Sequence, residues 1–484
     1  MNLTIRQITE ATGGRLVYMP AGREQTEQSF MDSAVDSVVL DSRKVTPGGV
    51  FIATEGERVD GHSFIPQVYA NGAALVITQK TPDRVPGQWG SYLLVEDTLQ
   101  ALKDVAECYR KSLDIPVIGI TGSVGKTSTK EFVAGVLSEK YNVLKTQGNY
   151  NNEIGVPLTL LQIRPEHQVA VVEMGISDFG EMHRLSKMAR PDVALITNIG
   201  QCHLENLKTR DGILKAKTEI FDFMAEKGMI CLNGEDDKLK TVTSAGEKEI
   251  RFFGSNNPEG CAVYATEVVS KGLWGSEMVI YNAAGQHYEA QVSLPGAHMV
   301  LNAVAAACVA EYLGLRPEEI QAGLKKVAAV GGRNHLIRTD RYTLIDDCYN
   351  ANPVSMKAGI DLLCMADTYK VAILGDMFEL GEKEDALHAE VGAYAMDKQV
   401  ERLICVGNHS RHMYEAALKE QEKTLCNPDG VSDAESGRIA YFETREDLLE
   451  ALKAQPERFL PMNCTVLIKA SHGMHFEDVV ELLK

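Results

Sequence analysis

The chain has little that would take it out of water or staple it covalently. No stretch approaches the roughly 18 apolar residues that a membrane-spanning helix needs. Met1-Asn2-Leu3-Thr4-Ile5-Arg6 lacks the basic-then-apolar order of a secretory signal. None of the ten cysteines stands in a C-x-x-C pair, so the usual spacing of zinc and redox motifs is missing. Most lie in apolar runs such as Ala307-Cys308-Val309 and Ile404-Cys405-Val406, as expected of buried thiols in a reducing compartment. Positive charge is scarce: 49 Lys and Arg face 67 Asp and Glu, for a formal net charge of −18. Non-specific nucleic-acid binding and adhesion to anionic membrane both need basic surface, so neither is expected. Internal repeats and low-complexity tracts are also missing. A cytoplasmic protein is the expectation.

What is present is an ordinary globular composition, 44% hydrophobic and 24% charged, over 484 residues. That length exceeds one hydrophobic core and predicts several domains. Apolar runs of strand length at residues 50–53, 74–77 and 92–95 are separated by Pro47-Gly48-Gly49 and Asp60-Gly61. A helix is predicted over 98–112, followed by a boundary at Asp114-Ile115-Pro116. From Val117 onward, continuous apolar strands at 117–120, 169–172 and 193–196 alternate with helices, the pattern of a sheet buried on both faces. Residues 249–292 are rich in strand-length runs, and an alanine-rich helix follows over 297–315. Alternation restarts with strands at 342–345, 371–374, 403–406 and 465–468. The prediction is an α/β chain of three domains, 1–113, 114–330 and 331–484, the last two built on parallel sheets.

The strongest local signal is Ile118-Gly119-Ile120-Thr121-Gly122-Ser123-Val124-Gly125-Lys126-Thr127-Ser128. It ends an apolar strand and opens a helix with Phe132, Val133, Val136 and Leu137 on one face. Glycines let backbone N–H groups approach phosphate oxygens, and the helix N-terminus adds positive potential. Lys126 can then reach the β- and γ-phosphates, and the Thr127 hydroxyl can ligate Mg²⁺. Thr121 to Ser128 therefore read as a nucleotide-binding loop, with Lys126 also catalytic. Ile120 stands where the general pattern has its first glycine, and the competing reading is a plain glycine turn.

Other candidates are less specific. In Asn149-Tyr150-Asn151-Asn152-Glu153, the residues Asn151 and Asn152 either bind substrate or cap the apolar helix that follows. Glu173 closes an apolar strand, where it either offers carboxylate oxygens to Mg²⁺ or faces solvent. His203, Lys215 and Lys217 have ordinary structural or surface roles by spacing alone. Gly332-Arg333 and Asp346-Asp347-Cys348-Tyr349-Asn350-Ala351-Asn352-Pro353 combine a phosphate-clamping guanidinium with a ribose-binding acid, or form a strand-end turn. Asp41-Ser42-Arg43-Lys44 is, as bare sequence, a surface turn.

These motifs together resemble the Mur ligases along the whole chain. That family's loop reads T-G-x-x-G-K-T/S, as Thr121 to Ser128 does, so Ile120 fits it. Tyr349-Asn350-Ala351-Asn352-Pro353, and Gly375-Asp376-Met377-Phe378-Glu379 with His388 after it, are similar to the dipeptide-adding branch. The D-N-P-R motif of the diaminopimelate-adding branch is absent.

The resemblance implies a small α/β N-terminal domain for a UDP-sugar, a central P-loop ATPase-like domain on a parallel sheet, and a Rossmann-like C-terminal domain. It implies ATP and Mg²⁺ as cofactors. It also implies a monomer that joins UDP-N-acetylmuramoyl-tripeptide to D-alanyl-D-alanine through an acyl phosphate. By the same resemblance Thr127, Glu173, His203 and Lys217 attend magnesium, Lys217 as a carbamate, with Lys215 its open alternative. Asn302, Arg333 and Asp347 face the nucleotide. Ser42, Arg43, Asn151, Asn152, Tyr349, Asn350 and Asn352 face the other substrates. Where relatives often have Gly-Ser-Arg this chain has Ala470-Ser471-His472. A folylpolyglutamate synthetase-like ligase, and a nucleotide switch that ligates nothing, stand as rivals.

Overall fold

The computed structural model describes residues 1, 3–20, 25–56, 59–83, 90–255, 259–328, 332, 335–425 and 438–484. Three sheets organise them, with strands drawn from residues 15–94, 117–292 and 335–469. The predicted division at 330/331 lies outside the described residues.

The first sheet has five strands in the order Arg15–Val17, Tyr92–Leu94, Leu75–Thr78, Val50–Ile52, Val38–Val39. All neighbours are parallel except Arg15–Val17, which runs antiparallel to Tyr92–Leu94. Arg15–Val17 and Val38–Val39 were not foreseen: three and two residues long, they carry too short an apolar run to register as strands.

Helix Thr98–Lys111 joins this sheet to the next. Asp97 caps it by accepting the Leu99 and Gln100 N–H groups, as an N-cap carboxylate should. Leu102, Val105, Ala106 and Tyr109, at helical spacing, are buried. Tyr109 Oη donates to the Ile163 carbonyl at 2.6 Å. The buried Arg110 guanidinium donates to the Ala189 carbonyl at 2.8 Å, the Arg190 carbonyl at 3.1 Å and Asp192 Oδ2 at 3.0 Å. Arg110→Ala should therefore cost about 3 kcal/mol of unfolding free energy, the low end for a broken buried pair because Asp192 keeps some solvent. A urea midpoint unchanged from wild type would contradict this.

The central sheet has nine strands in the order His287–Val292, Ser276–Tyr281, Val263–Ser270, Glu249–Gly254, Met229–Asn233, Val193–Ile196, Val117–Thr121, Val169–Glu173, Val143–Lys145. The prediction of a parallel sheet needs correcting at one edge. Val263–Ser270, Ser276–Tyr281 and His287–Val292 pair antiparallel, because their connections are too short for the crossover that parallel neighbours require. The C-terminal sheet of six strands likewise carries one antiparallel edge, His335–Arg338 against Thr343–Asp346, and is otherwise parallel.

No described helix is long and apolar enough to cross a membrane. The described cysteines are free thiols, and Cys231, Cys308, Cys348, Cys405 and Cys464 are buried.

Candidate active site

Parallel strands bring their C-terminal ends to one edge of the sheet, where α/β folds bind ligands. Here Val117–Thr121 runs into the glycine loop, its neighbour Val169–Glu173 ends on Glu173, and its other neighbour Val193–Ile196 leads into Thr197 to His203. All five residues of Val117–Thr121 are buried, so the loop starts from a fixed base.

Two glycines shape the loop. Gly122 has φ 150°, and a Cβ there would lie 1.9 Å from Thr197 Oγ1. Gly125, at φ 85°, is the left-handed N-cap of helix Lys126–Leu137. The crest is clipped to the next strand's loop. Asn198 Oδ1 accepts the Val124 N–H at 3.0 Å, and the Val124 carbonyl accepts from Thr197 Oγ1 at 2.6 Å and Asn198 Nδ2 at 3.0 Å. The Gly200 N–H donates to Ser123 Oγ at 2.9 Å. The shape of the loop is thus held by side chains of the next strand's loop as well as by its own backbone.

Lys126 Nζ donates to the Gly122 carbonyl at 2.8 Å, arching over the loop. Thr127 Oγ1 donates to Glu173, 3.0 Å from Oε1 and 2.9 Å from Oε2. Glu173 is 1% exposed, which excludes the solvent-facing alternative. Asn151 Nδ2 donates to Glu173 Oε1 at 2.8 Å. Mg²⁺ takes carboxylate and hydroxyl oxygens together with phosphate and water, and Thr127 and Glu173 present such oxygens to each other. Among the described residues no group of three or more His, Cys, Asp or Glu side chains is arranged to hold a metal unaided. The donor set present suits a cation that shares its ligands with phosphate.

The two lysine candidates on helix Arg210–Thr218 part company. Lys215 is exposed, whereas Lys217 is 1% exposed and donates from Nζ to the Gly122 carbonyl at 3.1 Å. Burial holds the Lys217 ammonium down to about 8, with Cys202 opposing and Lys126 adding to the shift. His203 lies 3.2 Å from Glu379 Oε2 through Nδ1. Its pKa is lowered by burial and by Lys217 and Lys126, against the pull of Glu379. Both members of this pair are left-handed non-glycine residues, His203 at φ 50° and Glu379 at φ 63°. Such backbone costs about 1 kcal/mol or more each and is held only where the surroundings impose it.

The C-terminal sheet closes the other side. Asp347 is buried and takes a 2.6 Å bond from Lys469 Nζ, which also donates to the Asn350 carbonyl at 2.9 Å. Asp347, Tyr349, Asn350 and Asn352 line the same cavity as Ser123–Thr129, Asn151, Glu173, His203 and Asn302, a space of about 910 Å³. Thr121 and Gly122, where the loop leaves its strand, are buried, as is Lys217 against the Gly122 carbonyl. Asn302 Oδ1 accepts from Thr129 Oγ1 at 2.9 Å and lies 3.8 Å from a Cβ built on Gly125, which puts it beside the phosphate loop.

Asn152 and Asn352 both hold the start of a helix, Asn352 as its N-cap. Asn152 Oδ1 accepts the Ile154 and Gly155 N–H groups, and Asn352 forms a capping box with Ser355. Each nevertheless borders the cavity. The His472 ring packs 5.4 Å from that of Tyr349. Arg333 lies outside the described residues. Ser42 is buried and the Arg43 guanidinium pairs with Asp41 at 2.8 Å. Neither borders the cavity, so the structure does not bring them to the other candidates.

Four residues escaped the sequence reading: Lys130, Asn198, Glu379 and Lys469. Lys130 follows Lys126 by one helical turn, in phase with the apolar Val133 and Leu137, and Lys469 ends an apolar strand. A lysine at a buried phase of an element was the available signal for both. Asn198 gave none, and Glu379 stood out only as part of the Gly375–Glu379 stretch that carries the resemblance, with no role of its own.

Residues 34–109 match the Mur ligase family catalytic domain, 120–310 the Mur ligase middle domain, and 332–472 the Mur ligase glutamate ligase domain. The chain is 36% identical to the UDP-N-acetylmuramoyl-tripeptide–D-alanyl-D-alanine ligase of Bacillus subtilis (strain 168), over 99% of this chain and 97% of that one. It is 34% identical to the enzyme of the same name from Escherichia coli (strain K12), over 100% and 99%. Among solved structures, MurF from Acinetobacter baumannii superposes with a TM-score of 0.85 at 31% identity, over 99% of both chains. Because these matches run through all three sheets and both walls of the cavity, the chain belongs to the Mur ligase family.

Proposed function

We propose that this chain is an ATP-dependent ligase that joins D-alanyl-D-alanine to UDP-N-acetylmuramoyl-tripeptide, in cytoplasmic synthesis of peptidoglycan precursor. The observation that carries this is the convergence of the phosphate loop, buried Glu173 and the Tyr349–Asn352 stretch on one cavity, in a chain matched end to end by relatives of that name.

A carboxylate is a poor acyl donor at neutral pH because its oxyanion leaves poorly. An oxygen of the tripeptide carboxylate attacks the γ-phosphorus of ATP, the bond to ADP breaks, and an acyl phosphate forms. The dipeptide amine then attacks the carbonyl carbon, the nitrogen gives up a proton to solvent, the carbon–oxygen bond breaks, and phosphate leaves. Lys126 meets the charge that develops on the transferred group, and the loop N–H groups fix its direction. Thr127 and Glu173 would hold Mg²⁺, which supplies further charge neutralisation at the phosphates. Lys217, with its pKa held near 8 by burial, has a neutral amine accessible at modest pH. Carbamoylation by CO₂ would turn it into an anion beside His203. Asp347, fixed by Lys469, faces the nucleotide from the C-terminal side.

Two products should appear together: one phosphate and one amide, and only when ATP, the muramoyl-tripeptide and D-alanyl-D-alanine are all present. A coupled phosphate assay with mass spectrometry of the nucleotide-peptide reads both. Vigorous phosphate release without either co-substrate would sink the proposal, as would amide formation on a folate-type polyglutamate acceptor instead.

A further inference from the structure

We propose that Lys130 is a positioning residue for the metal-binding carboxylate, acting through Glu173 and Thr146 without touching nucleotide. This rests on Glu173 being a magnesium ligand, as proposed above.

Lys130 is 2% exposed and does not border the cavity. Its ammonium donates to the Thr146 carbonyl at 2.8 Å and lies 3.2 Å from Glu131 Oε1 and 3.7 Å from Glu173 Oε2. Glu131 has a second cation, Lys145. Among the described residues, Lys130 is the cationic side chain paired with Glu173. The two lysines and two glutamates therefore balance only if Lys130 serves Glu173.

The connection is also mechanical. Thr146 accepts from Lys130 through its carbonyl and from the Glu173 backbone N–H through Oγ1, the latter at 3.0 Å. Thr127 and Asn151 fix the carboxylate itself. Lys130 thus ties the phosphate-loop helix to the strand end that carries Glu173, and gives that buried carboxylate a counter-charge whenever no divalent cation does. An uncompensated buried charge is costly and would turn Glu173 away from Thr127. Groups that orient a metal ligand typically carry a 10–100-fold effect on metal affinity, roughly speaking.

The test separates metal affinity from nucleotide affinity in the full-length protein. Mn²⁺ binding to the ADP complex is measured by electron paramagnetic resonance, and ADP binding in EDTA by calorimetry. Lys130→Met should weaken Mn²⁺ by about tenfold while leaving metal-free ADP affinity within about twofold. Thr146→Val, which removes the other half of the tie with little change in shape, should act in the same direction and decides the matter if Lys130→Met does not fold. Unchanged Mn²⁺ affinity overturns the proposal. A parallel loss of metal-free ADP affinity also overturns it, since that marks a merely structural clip. Glu173→Gln is the control on the underlying reading. If it leaves Mn²⁺ affinity intact, Glu173 is not a ligand, whatever Lys130 does.

Discussion

Replacing Lys126 with alanine should lower kcat/KM for amide formation by roughly 10²–10³-fold or more, the usual consequence of removing one preorganised charge from a transition state. The fold should survive. Lys126 is only half-buried, and its one observed bond is to the Gly122 carbonyl of its own loop. Losing a bond of that kind costs about 1 kcal/mol, a shift of a few degrees at most in a chain of this size. The loop's shape does not depend on Lys126, since Asn198, Thr197 and Gly200 clip its crest. Steady-state product assays beside thermal melting give both quantities. Near-wild-type ligation by Lys126→Ala would remove the phosphate-loop mechanism.

The second large effect should distinguish two lysines that are two residues apart. Lys217→Ala is expected to reduce ligation by about 100-fold or more, whereas Lys215→Ala should stay within about twofold, as an exposed helix position does. One turn of helix has 3.6 residues, so positions two apart point to nearly opposite faces. Helix Arg210–Thr218 buries Ile213, Ala216 and Lys217. Lys217 Nζ thereby reaches the Gly122 carbonyl beneath the phosphate loop, while Lys215 meets solvent. Lys217→Ala should also melt earlier, because it empties a buried volume. The variants are compared by kcat and KM under saturating bicarbonate. Equal losses in both would refute the assignment of the buried lysine to the reaction.

Much of this site was legible before any coordinates. A phosphate loop is a local object: an apolar strand, glycines at fixed offsets, then Lys126 and Thr127 at a helix start. Every one of those requirements is met by neighbours in sequence. Glu173 was legible for a similar reason, as the polar end of a continuous apolar strand. Asn152 and Asn352 were legible as either ligands or turn and cap residues; Asn352 is observed as a cap, and Asn152 accepts two N–H groups at a helix start. Their place on the cavity wall came only from how the sheets sit together.

What the sequence by itself determined is therefore the α/β alternation, the three-part division of the chain, and the strand, glycine loop and helix around Gly122 to Lys126. These depend on periodicity and on contacts between near neighbours, which composition and spacing encode directly. The tertiary structure decided that Lys217 rather than Lys215 is buried at the loop, and that Glu379 meets His203. It also decided that Lys130 and Thr146 brace Glu173, and that Ser42 and Arg43 stand apart from the cavity. Each depends on groups tens to hundreds of residues apart being pressed together. Helix phase, strand order and the charge balance of a buried cluster are set by packing, and no local pattern of residues carries them.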